Sequence, residues 1–267
     1  MTLRRLLSRY TGFSGMAAKE FLAYNIWFWM NLFTSAVAMT IFVFFWKAIY
    51  AQADQIAGLG FQQTLNYVLL AQVIAGVGES GILWTFGYQL REGRIALELL
   101  RPLDFQGMLY AFSVGNWLTG LLSRTPLLLL ALLYGLQPPA DPLAYACFAV
   151  SFFLGASVMF FFEWMLGCFA FYTTEVWGLG VTLFAIQLFF SGTLIPLDMM
   201  PEGLRLFAQI LPFHQIVYTP VSFLAGITPV SQAPQVFLGQ VAWIVGLAVA
   251  SRWVFSRAVR AVTVQGG

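Results

Sequence analysis

Apolar residues run along this chain in stretches of twenty or more, separated by short polar segments that carry most of the charge. A helix needs about 20 apolar residues to cross a hydrocarbon core of roughly 30 Å, and lipid offers no partner for a free backbone group. Such stretches therefore read as spanning helices. Six qualify, near residues 22–50, 63–86, 108–136, 142–171, 176–195 and 234–256. The expected class is an all-α membrane protein with one transmembrane domain over residues 1–267. The first outer turn is 51–62, with Asp54, and the second is the proline-rich run from Gln137 to Pro142.

Two segments fit no span. In residues 1–20, Leu3, Leu7 and Tyr10 recur at helical spacing with Arg5 and Arg9 on another side, which predicts a helix lying on the membrane surface. Between 196 and 232, Pro201 can open a short helix whose stripe is Leu204, Phe207, Ala208 and Leu211, ended by Pro212. A second short piece, Ile216 to Leu224, is interrupted by Pro220 and closed by Gly226. Pieces this short predict a re-entrant helical hairpin dipping into the outer leaflet before the last span.

Charge gives the map a direction. Of the 13 Lys and Arg residues, Arg4, Arg5, Arg9 and Lys19 open the chain, Arg91, Arg94 and Arg101 mark its middle, and Arg252, Arg257 and Arg260 close it. Lys/Arg-rich short loops stay in the cytoplasm, so both termini are expected there, in the inner membrane, with an even number of crossings. The composition, 60% hydrophobic and 9% charged, exceeds what a soluble interior can hide. A net charge of +2 is too small to suggest nucleic acid. Cys147 and Cys168 fall far apart on one predicted helix and are expected unpaired. No cleavage site follows the first arginines promptly, so no cleaved signal peptide is expected.

Candidate chemistry is sparse. Arg91, Arg94, Glu98 and Arg101 step by three, four and three, placing them on one face of a helix in the loop 89–105, with Arg94 and Glu98 spaced for an i, i+4 pair. Glu79, Arg124 and Glu163 lie within predicted spans, where each charge costs about 2.5–3.5 kcal/mol unless paired or hydrated. Counting along the spans puts all three toward the cytoplasmic side, and a buried pair between Arg124 and either glutamate is expected to clasp helices. Milder polar residues also occur in spans: Asn25, Asn31, Asn66, Gln72 and Gln187, either as hydrogen-bonding glue or as pathway lining. The single histidine, His214, cannot build a metal site without further ligands. No phosphate-binding glycine loop or nucleophile elbow is present, so no ATPase or hydrolase activity is expected of this chain.

The arrangement resembles the membrane subunits of type-2 ABC transporters, the export-type permeases of prokaryotes whose ATPase is a separate chain. The likeness is carried by Leu90, Arg91, Glu92 and Gly93 running to Leu99, Leu100, Arg101 and Pro102, and by Ser191, Gly192 to Pro196 followed by Met200, Pro201, Leu211 and Pro212. It implies that the charged loop is a coupling helix docking on the ATPase through Arg91, Glu92, Gly93, Arg94, Glu98, Arg101 and Pro102. It also implies that two permease subunits, identical or related, meet at their second and fifth spans, which makes Asn66, Gln72, Gln187, Phe189 and Phe190 candidates for the pathway. ATP and Mg would be held by an ATP-binding-cassette ATPase dimer and no cofactor by this chain, and the cargo would be amphipathic or apolar. A secondary transporter driven by an ion gradient is the alternative. It would need inverted halves and a discontinuous helix near the midplane, and neither is apparent from the sequence. A membrane-embedded enzyme lacks a convergent set of nucleophile, base and ligands.

Overall fold

A computed structural model describes residues 25–100, 103–173 and 176–261. The first helix, α1 (Asn25–Tyr50), spans about 39 Å at 1.5 Å per residue. Ile26, Met30, Phe33, Val37, Ile41 and Phe44 form its outward stripe, while Met39, Val43 and Trp46 turn inward. A two-residue-turn hairpin follows, β1 (Gln55–Ile56) and β2 (Leu59–Gly60). Ala57 and Gly58 both take positive φ, 50° and 79°, as the right-handed twist of a tight hairpin requires.

The second predicted span is not continuous. Helix α2 (Phe61–Ile74) stops at Ala75, whose ψ of 127° leaves the helical region, and α3 (Ile82–Arg91) starts afresh seven residues later. Gly76 and Gly81 bracket the gap with φ of 74° and 64°, values a side chain resists and glycine does not. The run AGVGESG is apolar enough to pass as a span by hydropathy, but its three glycines remove the helix preference that would carry α2 through.

The predicted loop helix is also divided. Gly93, at φ 69°, separates α3 from the short α4 (Arg94–Leu99). Arg91 therefore belongs to one helix, and Arg94 and Glu98 to another. Arg101 and Pro102 lie outside the described residues, as does the predicted surface helix 1–20.

The third predicted span runs from 105 rather than 108. Asp104 caps α5 (Phe105–Ser123), accepting from the Gly107 N–H at 2.8 Å. Arg124 interrupts the helix, and α6 (Thr125–Leu133) continues it with Pro126 in its first turn. Asp141 caps α7 (Pro142–Gly167), which a 3-10 turn extends to Phe171. Helix α8 (Trp177–Phe190) has 14 residues and ends short of the predicted 195, because Ser191 and Gly192 (φ 86°) turn the chain. The hairpin segment holds α9 (Glu202–Ile210), a 3-10 turn over Pro212–Gln215, and α10 (Tyr218–Leu224). Pro220 does not interrupt α10; it sits in the first turn, where its missing N–H has no helical partner to lose. The last helix is α11 (Ala233–Ala258).

Among the described residues four helices are long and apolar enough to cross a membrane: Phe28–Tyr50, Phe105–Leu133, Pro142–Phe171 and Val230–Ala258. More than half of the α7 window is buried, 56% against 17% for each of the others, so α7 is the axis of the bundle. At one end Phe86, Phe105, Trp164, Phe171 and Phe255 form an aromatic knot with centroids 4.8–6.3 Å apart, tying α3, α5, α7 and α11 together. Arg91, Arg94 and the Arg252–Asp104 ion pair (2.6 Å) lie at this basic end. At the opposite end Gln63 donates to Gly226 O and Tyr50 to Leu59 O.

The tip of the hairpin goes deep. A Cβ on Gly155 would fall on the backbone oxygen of Gln215, so the tip rests directly on α7. Gly155 is 13 residues along α7, about 20 Å from that end of the bundle.

Candidate functional site

The gap between α2 and α3 opens a chain of cavities. One, of about 340 Å³, lies between α1 and α5 and is lined by Asn31, Asn116, Thr119 and Ser123 together with Glu79 and Arg124. The next, about 540 Å³, shares Asn31, Glu79 and Arg124 and adds Ser35, Gln72, Gln187 and Thr193. A third, about 430 Å³, shares Glu79 and Gln187 and reaches Ser80, Trp84 and Glu163. Gly76 and Glu79 line all three, so the break itself is the common wall.

The sequence-flagged ionisable residues do converge here, but the expected clasp is not a direct ion pair. Arg124 Nη1 donates to Ser35 Oγ at 2.7 Å and Nη2 approaches Ala75 O at 3.4 Å. The second acceptor is a carbonyl freed by the end of α2. Glu79 and Arg124 act on each other through space across the cavity, and Glu79 Oε1 accepts from Gln187 Nε2 at 3.3 Å. Arg124 is 11 residues from Gly135, about 17 Å along the helix from that end.

Glu163 has a different task. It is 4% exposed and accepts from Ser80 Oγ at 2.5 Å. Its carboxylate also faces the backbone N–H groups of Ser80 and Ile82. Helix α3 has no side-chain cap of its own at Gly81, so a carboxylate from α7 satisfies the positive N-terminal end that the break exposes.

The amides divide. Gln72 donates to Thr193 O at 3.3 Å and lines the central cavity. Its neighbour Tyr67 donates to Gly192 O at 2.7 Å, and Tyr218 N donates to Ser191 O at 2.9 Å, so the turn after α8 is held between α2 and α10. Gln187 lines two cavities. Asn66 lies elsewhere: it brackets the backbone of Gln137, accepting from N at 2.9 Å and donating to O at 3.0 Å, and closes the proline turn. Phe189 packs on Phe190, and Phe190 on Phe207, rather than on the cavities. Ser35, Ser80, Asn116 and Thr193 were not singled out from the sequence. Hydroxyls and amides are common in spans, and without the break nothing distinguishes these.

At the basic end, Arg94 Nε pairs with Glu92 Oε2 at 2.7 Å and its guanidinium lies 5.9 Å from the Tyr88 ring centroid. Arg91 Nε donates back to Gly87 O. The Tyr88 hydroxyl also hydrogen-bonds the Glu92 carboxylate. Ile95 is buried and anchors α4, while Leu97 and Leu100 are 68% and 80% exposed. The exposed leucines and the arginines beside them form a ledge at this end.

Helix α3 joins this ledge to the cavities, and glycines let it sit close to its neighbours. A Cβ on Gly167 would meet Phe86 Cδ2 at 2.8 Å, one on Gly87 would meet Val176, and one on Gly180 would meet Trp84. Among the described residues no group of His, Cys, Asp and Glu could hold a metal ion, and both cysteines are free and buried.

Comparison with curated proteins finds no match. The family model described as "ABC-2 family transporter protein" matches residues 36–266, which takes in the broken second segment, the ledge, the hairpin and the last helix. The match covers most of the chain, and the chain belongs to the ABC-2 transporter family as a permease.

Proposed function

We propose that this chain is the permease of an ABC exporter, crossing the inner membrane six times with both termini in the cytoplasm. The two further crossings are α2 with α3, continuous in direction though broken at 75–81, and α8 extended by residues 191–196. The basic end faces the cytoplasm by the retention of Lys/Arg-rich loops. There α4 and the flanking Arg91, Glu92, Gly93, Arg101 and Pro102 act as the coupling segment, seated on a separate ATPase dimer that holds ATP and Mg. A second permease subunit completes the pathway, and the cavities around Glu79 are this chain's share of it.

One observation carries the reading. Helix α3 is a ten-residue rod with the ledge at one end and the polar gap at the other, and Gly93 and Gly81, at φ 69° and 64°, free it at both. Displacement of the ledge by nucleotide-driven closure of the ATPases therefore arrives where the cavities meet. Nucleotide supplies work only through its different affinity for the two states.

The test is co-purification. Arg94→Glu with Arg101→Glu is expected to abolish co-elution of the ATPase while leaving the permease monodisperse and helical; undiminished co-elution refutes the docking reading. The break also favours a second reading, because discontinuous helices at mid-depth are the mark of ion-gradient transporters. In sealed vesicles of the purified complex, uptake that needs ATP and survives collapse of the ion gradients supports the first; uptake that needs a gradient and no ATP supports the second.

A further inference from the structure

Arg124 also stands in the wall of a fourth cavity, about 430 Å³, whose lining is largely apolar and includes Leu70, Val73, Leu121, Leu128, Leu136 and Phe148. This residue is the meeting point of polar and apolar space. A guanidinium has five N–H donors; here two neutral oxygens, on Ser35 and Ala75, are its hydrogen-bond partners. Glu79, across the polar cavity, holds one amide of Gln187. Glu163 is committed to Ser80 and to the start of α3. The charges left to face a ligand are therefore one cation, Arg124, and one anion, Glu79.

That balance selects among ligands. An anion would be drawn by Arg124 and repelled by Glu79, and a cation would meet the reverse. A ligand with both signs leaves neither group buried against an unmatched charge. A hydrocarbon tail would occupy the leucine-lined cavity that Arg124 borders, and cavities of this size lie within the roughly 300–1,000 Å³ of small-molecule sites. We propose, resting on the reading of these cavities as the pathway, that the site binds a zwitterionic amphiphile. Its anionic group lies on Arg124, its cationic group on Glu79, and its tail between α2, α5, α6 and α7.

The test varies the head and keeps the tail. The permease–ATPase complex in amphipol is titrated with dodecylphosphocholine, laurate, dodecyltrimethylammonium and dodecyl maltoside, each below its micellar concentration, while Tm is followed. Dodecylphosphocholine is expected to stabilise at a concentration about tenfold lower than either singly charged head. Glu79→Gln should shift the preference to laurate and Arg124→Gln to the trimethylammonium head, a reversal that loss of packing cannot produce. Leu128→Trp, which narrows the tail cavity, should weaken dodecylphosphocholine more than hexylphosphocholine. Equal potency of the four heads, a wild-type preference for one sign, or an unchanged order in both charge variants overturns the proposal. ATPase stimulation in the same order makes the amphiphile a cargo, whereas stabilisation without stimulation makes it a resident lipid; both support the site. The head-group order is also read on the permease carrying Arg94→Glu and Arg101→Glu, where its survival without the ATPase separates this site from the docking reading.

Discussion

At the residue scale, the bundle is built on places where a side chain would not fit. The carbonyl of Gln215, at the hairpin tip, occupies the position of a Cβ on Gly155, and backbone cannot rotate aside as a long side chain can. Gly155→Ala is therefore expected to destabilise by about 2 kcal/mol or more through overpacking. Gly246→Ala, on α11 with nothing within 4 Å of the added carbon, should be neutral or stabilising by up to about 1 kcal/mol. Thermal unfolding of both variants in one detergent checks the contrast, and equal Tm values would mean that the tip does not rest on α7. Glu163 gives a second test. Glu163→Gln keeps an acceptor for Ser80 and the α3 N–H groups, whereas Glu163→Ala leaves them buried without one, at a cost of about 1–3 kcal/mol. The alanine variant should unfold at clearly lower temperature than the glutamine variant; an equal drop in both would show that charge, and not hydrogen bonding, is what the site needs.

At the element scale, the decisive feature is the gap between α2 and α3. Alanine at Gly76 or Gly81 must adopt φ of 74° or 64°, at about 1–2 kcal/mol each, or let α2 run on into α3. Asparagine at Gly81 should be milder, since its side chain tolerates the left-handed region. The expectation for the complex is that Gly76→Ala and Gly81→Ala reduce transport more than they reduce ATP hydrolysis, measured on the same vesicles, because the rod and the gap lose independence. Equal loss of both would point to a folding defect. The same element shows what the sequence could reveal. Long uniform runs such as 25–50, 142–167 and 233–258 were legible within a few residues, because twenty apolar residues have one solution in lipid. The break was not, because a hydropathy window averages over Gly76, Gly78 and Gly81, and a left-handed glycine has no signature within such an average. The cavity was half legible. Glu79, Arg124 and Glu163 stood out as charges out of place, but whether they pair or face a chamber depends on the gap, and Ser35, Ser80 and Thr193 became partners only through it.

At the scale of the whole molecule, the reading turns on which face of the membrane carries the ledge. Arg91, Arg94, Arg252 and Arg257 share one end of the bundle with the aromatic knot, while the opposite end holds the proline turn and the outer ends of the hairpin. This separation of charge is what the positive-inside rule acts on, each Lys or Arg near a span resisting transfer. Cysteine labelling can decide it, since the native thiols are buried, Cys147 at 8% and Cys168 at 1% exposure, and should remain silent to an impermeant maleimide. Leu100→Cys places a thiol on the ledge, and Ala140→Cys places one on the exposed proline turn. Intact cells should label Ala140→Cys and leave Leu100→Cys untouched until the membrane is opened or inverted. Labelling of Leu100→Cys from outside would put the ledge beyond the reach of any cytoplasmic ATPase, and the docking role of Arg94 would fall with it. Labelling of both positions from the same side would mean that α5 with α6, the segment between them, does not pass once between the two ends. The double result, outside for Ala140→Cys and inside for Leu100→Cys, leaves α3 as the covalent link between a cytoplasmic ledge and a mid-membrane gap, the one geometry in which nucleotide closure can reach Glu79 and Arg124.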